Sequence, residues 1–480
     1  MERTAILNLI IIIYLVGIAI LGKIMGGKQT NIKDYFLGAE EVPWIAVCFA
    51  IVAAETSTLT FISIPGLAYL TNLNFLQVTF GYLLGRIVIS YVLLPLYFKG
   101  GLETAYSFLE SRFGKRTRSV ASTTFIFTRL AADGVRLFAT AIPIKLMLDV
   151  SYPVAIVIIA IVTLFYTYTG GIRGVIWVDA LQMLIYLGGA GIALYLLAGM
   201  VPGGFGSIFT LPELTSKLQI FNLDPGGSLA GFFAQPYSLL AGLIGGAFLS
   251  MASHGVDQLV VQRLLATGNL KSARKAIITS GVIVIAQFAL FLVIGVLLFA
   301  YYGKLDMKSD EIFPMFIIKE MPVIPAGIII AGLLAAAMST LAGSISSITS
   351  STVYDLLIPN FKKAFSDEKK LQLSKMFTLI WAGILVFSAF FFMNTDKVIV
   401  ELALSIASFT YGALLGTFLL GVFVKKAGQR EAIIAFFAGI ILLIFVITFK
   451  LVGWTWYTLA GVIGTMLVGA IATQFQSKEN

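Results

Sequence analysis

Long runs of apolar residues dominate the chain, and thirteen of them are long enough to cross a lipid bilayer as helices. A spanning helix needs roughly 20 mostly apolar residues. The pattern therefore predicts an all-α integral membrane protein with about thirteen transmembrane helices. Numbered one to thirteen, the predicted spans cover residues 5–22, 43–71, 75–97, 119–148, 153–169, 175–200, 235–254, 273–302, 324–353, 373–393, 397–423, 431–450 and 454–474.

The composition agrees with lipid as the solvent. Of the 480 residues, 59% are hydrophobic and 12% are charged, whereas a soluble domain is about 45–50% apolar and about 25% charged. The one histidine cannot form a multi-histidine metal site. No G-x-x-x-x-G-K-[S/T] run is present to cradle a phosphate, which argues against an enzyme or a primary pump. The Gly- and Pro-rich stretch 201–234 is expected to be a long loop with short surface helices.

The basic residues are distributed unevenly between the two sides of the predicted membrane. If the N-terminus is outside, most of the 33 Lys and Arg residues fall in the inner loops, as the positive-inside rule requires. We therefore expect a multi-pass plasma (inner) membrane protein with its N-terminus outside and its C-terminus in the cytoplasm. The net charge of +9 then faces anionic membrane lipid and implies no nucleic acid partner.

Two predicted spans contain polar or helix-breaking residues where a continuous helix would be expected. The second has a polar stretch at 53–60 followed by Pro65, and the seventh begins with Gln235-Pro236-Tyr237-Ser238. Unwound backbone in a membrane is tolerated only where it is buried in protein or lines a cavity. Interrupted helices at matching positions of two inverted halves are typical of secondary transporters. Ordinary proline kinks, with hydroxyls bonded back to their own helix, are the alternative interpretation.

The ninth span is rich in small and hydroxyl-bearing residues between 335 and 347. Small residues let helices approach closely, and this alone would account for them. Ser339 and Thr340 are adjacent, however, and their oxygens could flank a sodium ion together with carbonyls freed at an unwound helix. Both interpretations stay open on chemistry alone.

Charged residues inside the predicted spans are candidates for function because they are costly in a membrane. Glu55 lies in the polar stretch of the second span and could contact a solute, an ion or a neighbouring basic residue. Arg129 and Asp133 on the fourth span are four residues apart and can pair. Arg136 is then left to meet Glu55 or an anionic solute.

The remaining charges near the spans are interpreted as structural. Arg86 and Lys145 are expected to snorkel or to form ion pairs. Asp257 and Arg263 follow the seventh span, and we expect them to pair with each other and order that loop.

Five sequence motifs occur in order along the predicted spans. They are Ala53 to Tyr69, Gly170 to Asp179, Asp257 to Arg263, Leu334 to Ser347 followed by Asp355, and Ser408 to Gly412 with Gly416. Together they resemble the motifs of the sodium:solute symporter family. The resemblance implies a LeuT-like inverted-repeat fold with broken first and sixth core helices. One repeat would cover residues 43–200 and the other 235–423, with peripheral helices at 5–22, 431–450 and 454–474.

The same resemblance implies a sodium site between the second and ninth spans. Its ligands would be three backbone carbonyls and two hydroxyls, contributed by Ala53, Thr56, Ala336, Ser339 and Thr340.

Some members of that family hold a second sodium ion with an aspartate that corresponds to Asp179 and two further hydroxyls. Here Ala342 and Gly343 stand at the hydroxyl positions, and Ser344 is displaced by one. Asp179 is therefore either a ligand of a second cation or a group that tunes the first site. We expect one coupled sodium.

The predicted function is sodium-coupled import of a small polar organic solute by alternating access, performed by a monomer that is not an enzyme. A proton-coupled carrier using Glu55 or Asp179, a transporter-like membrane sensor and a channel are the alternatives. The opposed charges of Glu55 and Arg136 suggest a zwitterion or a hydroxyl-rich neutral solute, with the two charges paired when the site is empty. The residues expected to face the solute are Glu55, Ser57, Thr60, Arg136, Gln235, Tyr237 and Phe409.

Overall fold

The computed structural model describes residues 2–148, 150–224, 226–361, 365–393 and 399–476, and within these ranges it contains helices and no strand. Helices of the first half are α1 (Glu2–Gly26), α2 (Ile32–Leu37), α3 (Trp44–Glu55), α4 (Thr58–Leu70), α5 (Leu76–Val92), α6 (Leu94–Lys99), α7 (Ser107–Phe113), α8 (Lys115–Leu148), α9 (Tyr152–Met200), α10 (Ser207–Thr210) and α11 (Pro212–Thr215). Those of the second half are α12 (Leu229–Ala234), α13 (Gly246–Gly255), α14 (Gln258–Leu265), α15 (Leu270–Tyr302), α16 (Ser309–Lys319), α17 (Val323–Ser351), α18 (Asp367–Phe391), α19 (Ile399–Phe423), α20 (Gln429–Thr448) and α21 (Tyr457–Gln476).

Helices occupy every predicted span, which confirms the all-α membrane class. Among the described residues, eight helices are individually long and apolar enough to cross a membrane, or nine if the pair 32–40 and 44–55, bent by 110°, counts as one span. The α3–α4 pair is not among the eight, because the break leaves each of the two helices too short to cross a membrane alone. α8 is long enough but is not among the eight, because it carries several charged residues. The number thirteen stays a prediction.

The fifth and sixth predicted spans form one helical element, α9, which turns sharply at Gly171. Its 49 residues would extend about 74 Å if straight, more than twice the roughly 30 Å hydrocarbon core. Gly171 has φ 55° and ψ −164°, a conformation that favours glycine. A Cβ there would also lie 2.8 Å from the Tyr35 carbonyl oxygen. The kink therefore divides α9 at the boundary between the two predicted spans.

The second predicted span is interrupted as the sequence indicated. α3 ends at Glu55, and the next two residues are extended, with ψ 114° at Thr56 and ψ 166° at Ser57. Ser57 then caps α4, because its Oγ accepts a hydrogen bond from the amide of Thr60. Pro65 lies inside α4, so the break, and not the proline, divides the span.

The seventh predicted span is interrupted as well. The chain leaves the helical conformation at residues 235–238 and resumes through a π-helical turn, Ala241–Gly245, that leads into α13. A π turn widens the helix and often marks a functional position. After α13 the backbone is extended again at Asp257, whose side chain caps α14. The two interruptions confirm the discontinuous helices expected of a transporter.

The long loop contains the short helices α10, α11 and α12, as predicted. Lys217 anchors it to the core: its Nζ donates to the carbonyls of Tyr69 (2.7 Å) and Thr71 (3.2 Å) and lies 4.1 Å from the Phe299 ring centroid. Burial lowers the pKa of Lys217, because desolvation disfavours the ammonium form. The loop is thereby fastened to the end of α4.

α17 lies at the centre of the molecule and is almost entirely buried. It packs against α9, α1, α8 and α3. The break between α3 and α4 lies beside it, because Thr58 Oγ1 donates to the Leu333 carbonyl at 3.5 Å. The fold therefore brings the unwound segment to the hydroxyl-rich helix.

Candidate ion and solute site

The break after α3 changes the hydrogen bonding of its last carbonyls. In a continuous helix the Ser57 amide would donate to the carbonyl of Ala53. Here that amide donates to Thr60 Oγ1 at 3.4 Å. The Ala53 carbonyl consequently lacks its helical partner and is available to a cation.

Thr56, which also lies in the break between α3 and α4, is held in place by its side chain. Its Oγ1 donates to the Val52 carbonyl at 2.7 Å and accepts from Gln287 Nε2 at 2.8 Å. These two hydrogen bonds fix a residue that no longer belongs to a helix. Its hydroxyl is thereby engaged, and its carbonyl is the group left for an ion.

The α17 side of the site supplies hydroxyls. Thr340 Oγ1 donates to the Ala336 carbonyl at 3.1 Å. Ser339 Oγ is buried without a hydrogen-bond partner of normal length among the described residues, although the Asp179 carboxylate lies next to it. Within the part of the chain that the structure describes, no group of three His, Cys, Asp or Glu side chains could hold a metal ion. Neutral oxygens of this kind suit a monovalent hard cation such as sodium.

A small polar cavity adjoins these residues. Only about 10 Å³ of it can be reached by the centre of a water molecule, which is room for about one water. Thr340 therefore borders both the cavity and the candidate ion site. The lining residues are Ser57, Thr58, Asp133, Arg136, Leu137, Thr140, Ala337, Thr340 and Leu341.

Arg136 projects from α8 into this cavity. Its side chain is 25% exposed, and its Nη1 donates to Asp133 Oδ1 at 2.9 Å. Asp133 also accepts from Ser344 Oγ and lies 3.5 Å from Arg129 Nη1. The predicted pairing of Arg129 with Asp133 is thus confirmed. Three donors already serve the Asp133 carboxylate.

A second small cavity also borders Arg136. Its lining includes Arg129, whose Nη2 binds Asp257 at 2.5 Å, and Tyr411, whose hydroxyl donates to the same carboxylate at 2.8 Å. Arg136 therefore contributes to both cavities. The second cavity is lined by Phe125, Thr128, Arg129, Ala132, Arg136, Asp257, Thr410, Tyr411 and Leu414.

The expected pairing of Glu55 with Arg136 is wrong. The Glu55 carboxylate accepts from Arg86 Nη2 and lies 3.5 Å from His254 Nε2, and Glu55 does not line the cavity. The expectation that Arg86 pairs structurally is confirmed. Glu55 and Arg86 lie 31 residues apart on different helices, so sequence spacing gave no sign of their contact.

The expected pairing of Asp257 with Arg263 is also wrong. Asp257 starts α14, and Arg263 lies about 9 Å further along that helix. Asp257 therefore meets Arg129 of α8. Arg263 reaches α9, where its Nη2 binds Asp179 Oδ2 at 2.7 Å and both side chains are fully buried.

Lys145 has an aromatic contact: its Nζ lies 4.1 Å from the Tyr152 ring centroid. The interaction is a structural cation–π contact.

The remaining expected solute residues are placed less centrally. Thr60 bonds with Ser57 and does not line the cavity. Gln235 donates to Asp224 at 3.3 Å, and Tyr237 packs against Trp454 with ring centroids 6.1 Å apart.

The side chain of Phe409 lies outside the described residues. The structure adds Thr58 and Thr140, whose hydroxyls lie 3.1 Å apart in the cavity wall. Thr140 is one helical turn from Arg136, a spacing that could have indicated it.

Comparison with known proteins gives consistent results. Residues 35–439 match the model of the sodium:solute symporter family. The sodium/sialic acid symporter SiaT of Proteus mirabilis is 29% identical over 436 residues, which is 89% of this chain and 86% of that protein. The sodium/sialic acid symporter NanT of Aliivibrio fischeri is 28% identical over 463 residues, covering 95% and 90%.

Solved structures agree with the fold. A substrate-bound, outward-open Na⁺-coupled sialic acid symporter has a TM-score of 0.89 at 26% identity, covering 98% of this chain and 97% of that one. The nucleobase-cation-symport-1 family transporter Mhp1 has a TM-score of 0.59 at 13% identity, covering 94% and 96%, and shows likeness of fold alone.

The interrupted helices and the buried polar cavity define a secondary transporter with the LeuT-like fold, as the sequence predicted. The chain belongs to the sodium:solute symporter family. It is a multi-pass membrane protein that transports a solute with sodium as the coupling ion, and it is not an enzyme. Family membership sets aside the proton-coupled, sensor and channel alternatives.

Proposed function

We propose that the transported solute is a small, hydroxyl-rich carboxylate, and that Arg136 binds its carboxylate group. The main observation behind this proposal is that Arg136 lines a cavity together with the hydroxyl-bearing residues Ser57, Thr58, Thr140 and Thr340. A guanidinium binds carboxylate in a bidentate manner, and Ser57, Thr58 and Thr140 can serve the solute hydroxyls. The relatives named as sialic acid symporters support an acidic sugar as the first solute to test.

The zwitterion suggested by the sequence fits the cavity less well. An ammonium group would need a carboxylate with free acceptor capacity. Asp133 borders the cavity, but Arg129, Arg136 and Ser344 already contact it. Glu55 has its own basic partners. An anion therefore complements the cavity better than a zwitterion.

We assign the sodium ion to the oxygens between the α3–α4 break and α17. The ligands are the carbonyls of Ala53, Thr56 and Ala336 and the hydroxyls of Ser339 and Thr340. The freed Ala53 carbonyl and the buried Ser339 hydroxyl beside the Asp179 carboxylate support this assignment. Because Thr340 also borders the solute cavity, sodium would order one wall of the solute site.

Transport would then require movement of the helices around the cavity. The space available is far smaller than a sugar acid, and solute pockets are usually about 300–1,000 Å³. Sodium bound between α3 and α17 would hold the segment that carries Ser57. The ion and the solute would thereby stabilise one conformation together, which is the condition for coupling.

The membrane arrangement is part of the proposal. The protein would act as a monomer in the plasma (inner) membrane, contact anionic lipid through its basic loops and bind no nucleic acid. Its N-terminus would face outside and its C-terminus the cytoplasm. Its repeats would cover 43–200 and 235–423. The unequal distribution of Lys and Arg supports the orientation.

Ligand-induced thermal stabilisation of the purified protein tests the solute class. Sialic acid, other sugar acids and neutral sugars would be compared with and without sodium, since a ligand stabilises the state that it binds. Arg136→Gln should weaken carboxylate binding by roughly 10- to 100-fold, because a charged hydrogen bond is worth about 1.5–3 kcal/mol.

Lys145→Gln, on the same helix but outside the cavity, serves as the matched control and should bind normally. Equal binding of a carboxylate solute and its primary-alcohol analogue would refute the role of Arg136.

A further inference from the structure

Glu55 occupies an unusual place beside the candidate sodium site. It is the last residue of α3 and lies between Ala53 and Thr56, whose carbonyls are assigned to the ion. Its side chain, however, belongs to a separate buried cluster and does not line the solute cavity. The proposed binding of sodium and solute makes no use of this carboxylate.

The cluster is centred on Arg86 of α5, which is fully buried. Its Nη2 donates to Glu55 and lies 3.0 Å from His254 Nε2 of α13. Its Nη1 donates to Ser280 of α15 at 2.7 Å. His254 is itself oriented by Ser253 Oγ, 2.8 Å from its Nδ1. Four helices, α3, α5, α13 and α15, are thus joined through one guanidinium.

Because the backbone is unwound here, these side-chain contacts can determine the direction of its carbonyl groups. The carbonyls of Ala53 and Thr56 lack the regular hydrogen-bond ladder that would hold them in a helix. Side chains must therefore set their direction. Thr56 is held by Gln287 of α15. Glu55 is held by Arg86, and separating this pair would leave the fully buried Arg86 charge uncompensated.

We propose that Glu55, held by Arg86 and His254, positions the Ala53 and Thr56 carbonyls for sodium and links the ion to α13. This inference rests on the sodium assignment made above. α13 follows the second interruption, so the cluster connects the unwound segments of both repeats. Occupancy of the ion site is then communicated to α13 without passing through the solute cavity.

Glu55→Gln is the direct test, because it preserves the shape of the side chain and removes its charge. We expect the sodium concentration for half-maximal uptake into proteoliposomes to rise between about five- and twentyfold, within the usual range of coupling between sites. At saturating sodium, the KM for solute and the maximal rate should stay within about twofold of wild type. Arg86→Lys, which retains a cation, should have a smaller effect on sodium than Arg86→Met.

Glu110→Gln is the matched control. It makes the same chemical change in an ion pair with Arg118, 2.5 Å long, outside the candidate site, and should leave the sodium response unchanged. The double variant Glu55→Gln/Arg86→Met removes both charges of the pair together, so Arg86 leaves no unpaired buried charge if a single variant fails to fold. Its sodium half-saturation should remain raised. A wild-type value would show that the pair only neutralises itself.

Two further outcomes would overturn the inference. One is an unchanged sodium half-saturation in folded Glu55→Gln, and the other is an equal rise in solute KM at saturating sodium. The sodium-ligand variant Ser339→Ala/Thr340→Ala separates the two levels of the argument. If Ser339→Ala/Thr340→Ala raises the sodium half-saturation concentration while Glu55→Gln does not, only the positioning role of Glu55 fails. If neither variant raises the sodium half-saturation concentration, both the positioning role and the assignment of the sodium site fail.

Discussion

Gly343 of α17 is packed directly against the guanidinium of Arg263. A Cβ at this position would lie 2.7 Å from Nη2 and 3.0 Å from Nη1 of Arg263, whereas ordinary contacts begin at 3.4 Å. Nη2 is the atom that binds Asp179 at 2.7 Å. Gly343→Ala should therefore force the guanidinium to shift, which strains its contact with the buried Asp179.

The size of the effect has an upper bound. Removing one partner of a buried ion pair costs about 3–5 kcal/mol. Here both partners remain and Arg263 Nε also contacts Asp179 at 3.3 Å, so displacing the guanidinium should cost no more than about 3 kcal/mol. Replacing a mid-helix glycine with alanine stabilises the helix by about 1 kcal/mol. Gly343→Ala should therefore destabilise the protein by up to about 2 kcal/mol.

Cys48 provides the assay. It is the single cysteine and is fully buried, so its reaction with a thiol-specific fluorophore reports thermal unfolding. Gly343→Ala should unfold at a lower temperature than wild type. Gly188→Ala on α9 is the matched control, because a Cβ there would meet nothing within 4 Å, and it should be as stable as wild type or slightly more so. Equal unfolding temperatures for the two variants would refute the packing argument.

Two other predictions concern the ion. Asp179 is engaged by Arg263, and positions 342 and 343 carry no hydroxyl, so we expect a sodium Hill coefficient near one. One sodium and a monovalent anionic solute carry no net charge, so uptake should not respond to an imposed membrane potential. Faster uptake at inside-negative potential would indicate a second sodium. Gln287→Leu removes the hydrogen bond to Thr56 and should raise sodium half-saturation about fivefold, corresponding to about 1 kcal/mol; an unchanged value would show that this bond does not orient the Thr56 carbonyl.

The charge balance has a consequence for accumulation. A tenfold sodium gradient is worth about 1.4 kcal/mol, and a potential of 100 mV adds about 2.3 kcal/mol per charge moved. For a neutral solute, these two contributions together would allow one sodium to support accumulation on the order of several hundredfold. For a monovalent anion no net charge moves, so the limit falls to about tenfold. Accumulation measured at equilibrium therefore reports solute charge and stoichiometry together.

The sequence predicted those features that depend on neighbouring residues. The polar stretch at 53–60 and the Gln-Pro sequence at 235 indicated the two interruptions. Unwound backbone at membrane depth is tolerated only where it is buried in protein or lines a cavity, and polar residues fit such a place. The adjacent hydroxyls of Ser339 and Thr340 suggested an ion site, which stays a prediction. The spacing of Arg129 and Asp133 indicated a pair within one helix.

The contacts between distant helices could not be predicted in this way. Arg263 and Asp179 are 84 residues apart in sequence, and their contact depends on how α14 packs against α9. Glu55 was expected in the solute cavity because it lies in the polar stretch of the second span, but the direction of its side chain depends on α5 and α13. Thr140 was missed although it lies one helical turn from Arg136 on α8, because the cavity that the two residues share is formed by packing against α4 and α17.

The location of the sodium ion is the central claim, and sodium-dependent uptake by Ser339→Ala/Thr340→Ala tests it most directly. The variant would be reconstituted into proteoliposomes and compared with wild type at matched protein incorporation and saturating solute. Loss of two hydroxyl ligands should raise the sodium concentration for half-maximal uptake at least about tenfold, which corresponds to about 1.4 kcal/mol. Sodium dependence identical to wild type in the folded, inserted variant would contradict the assignment of sodium to this site.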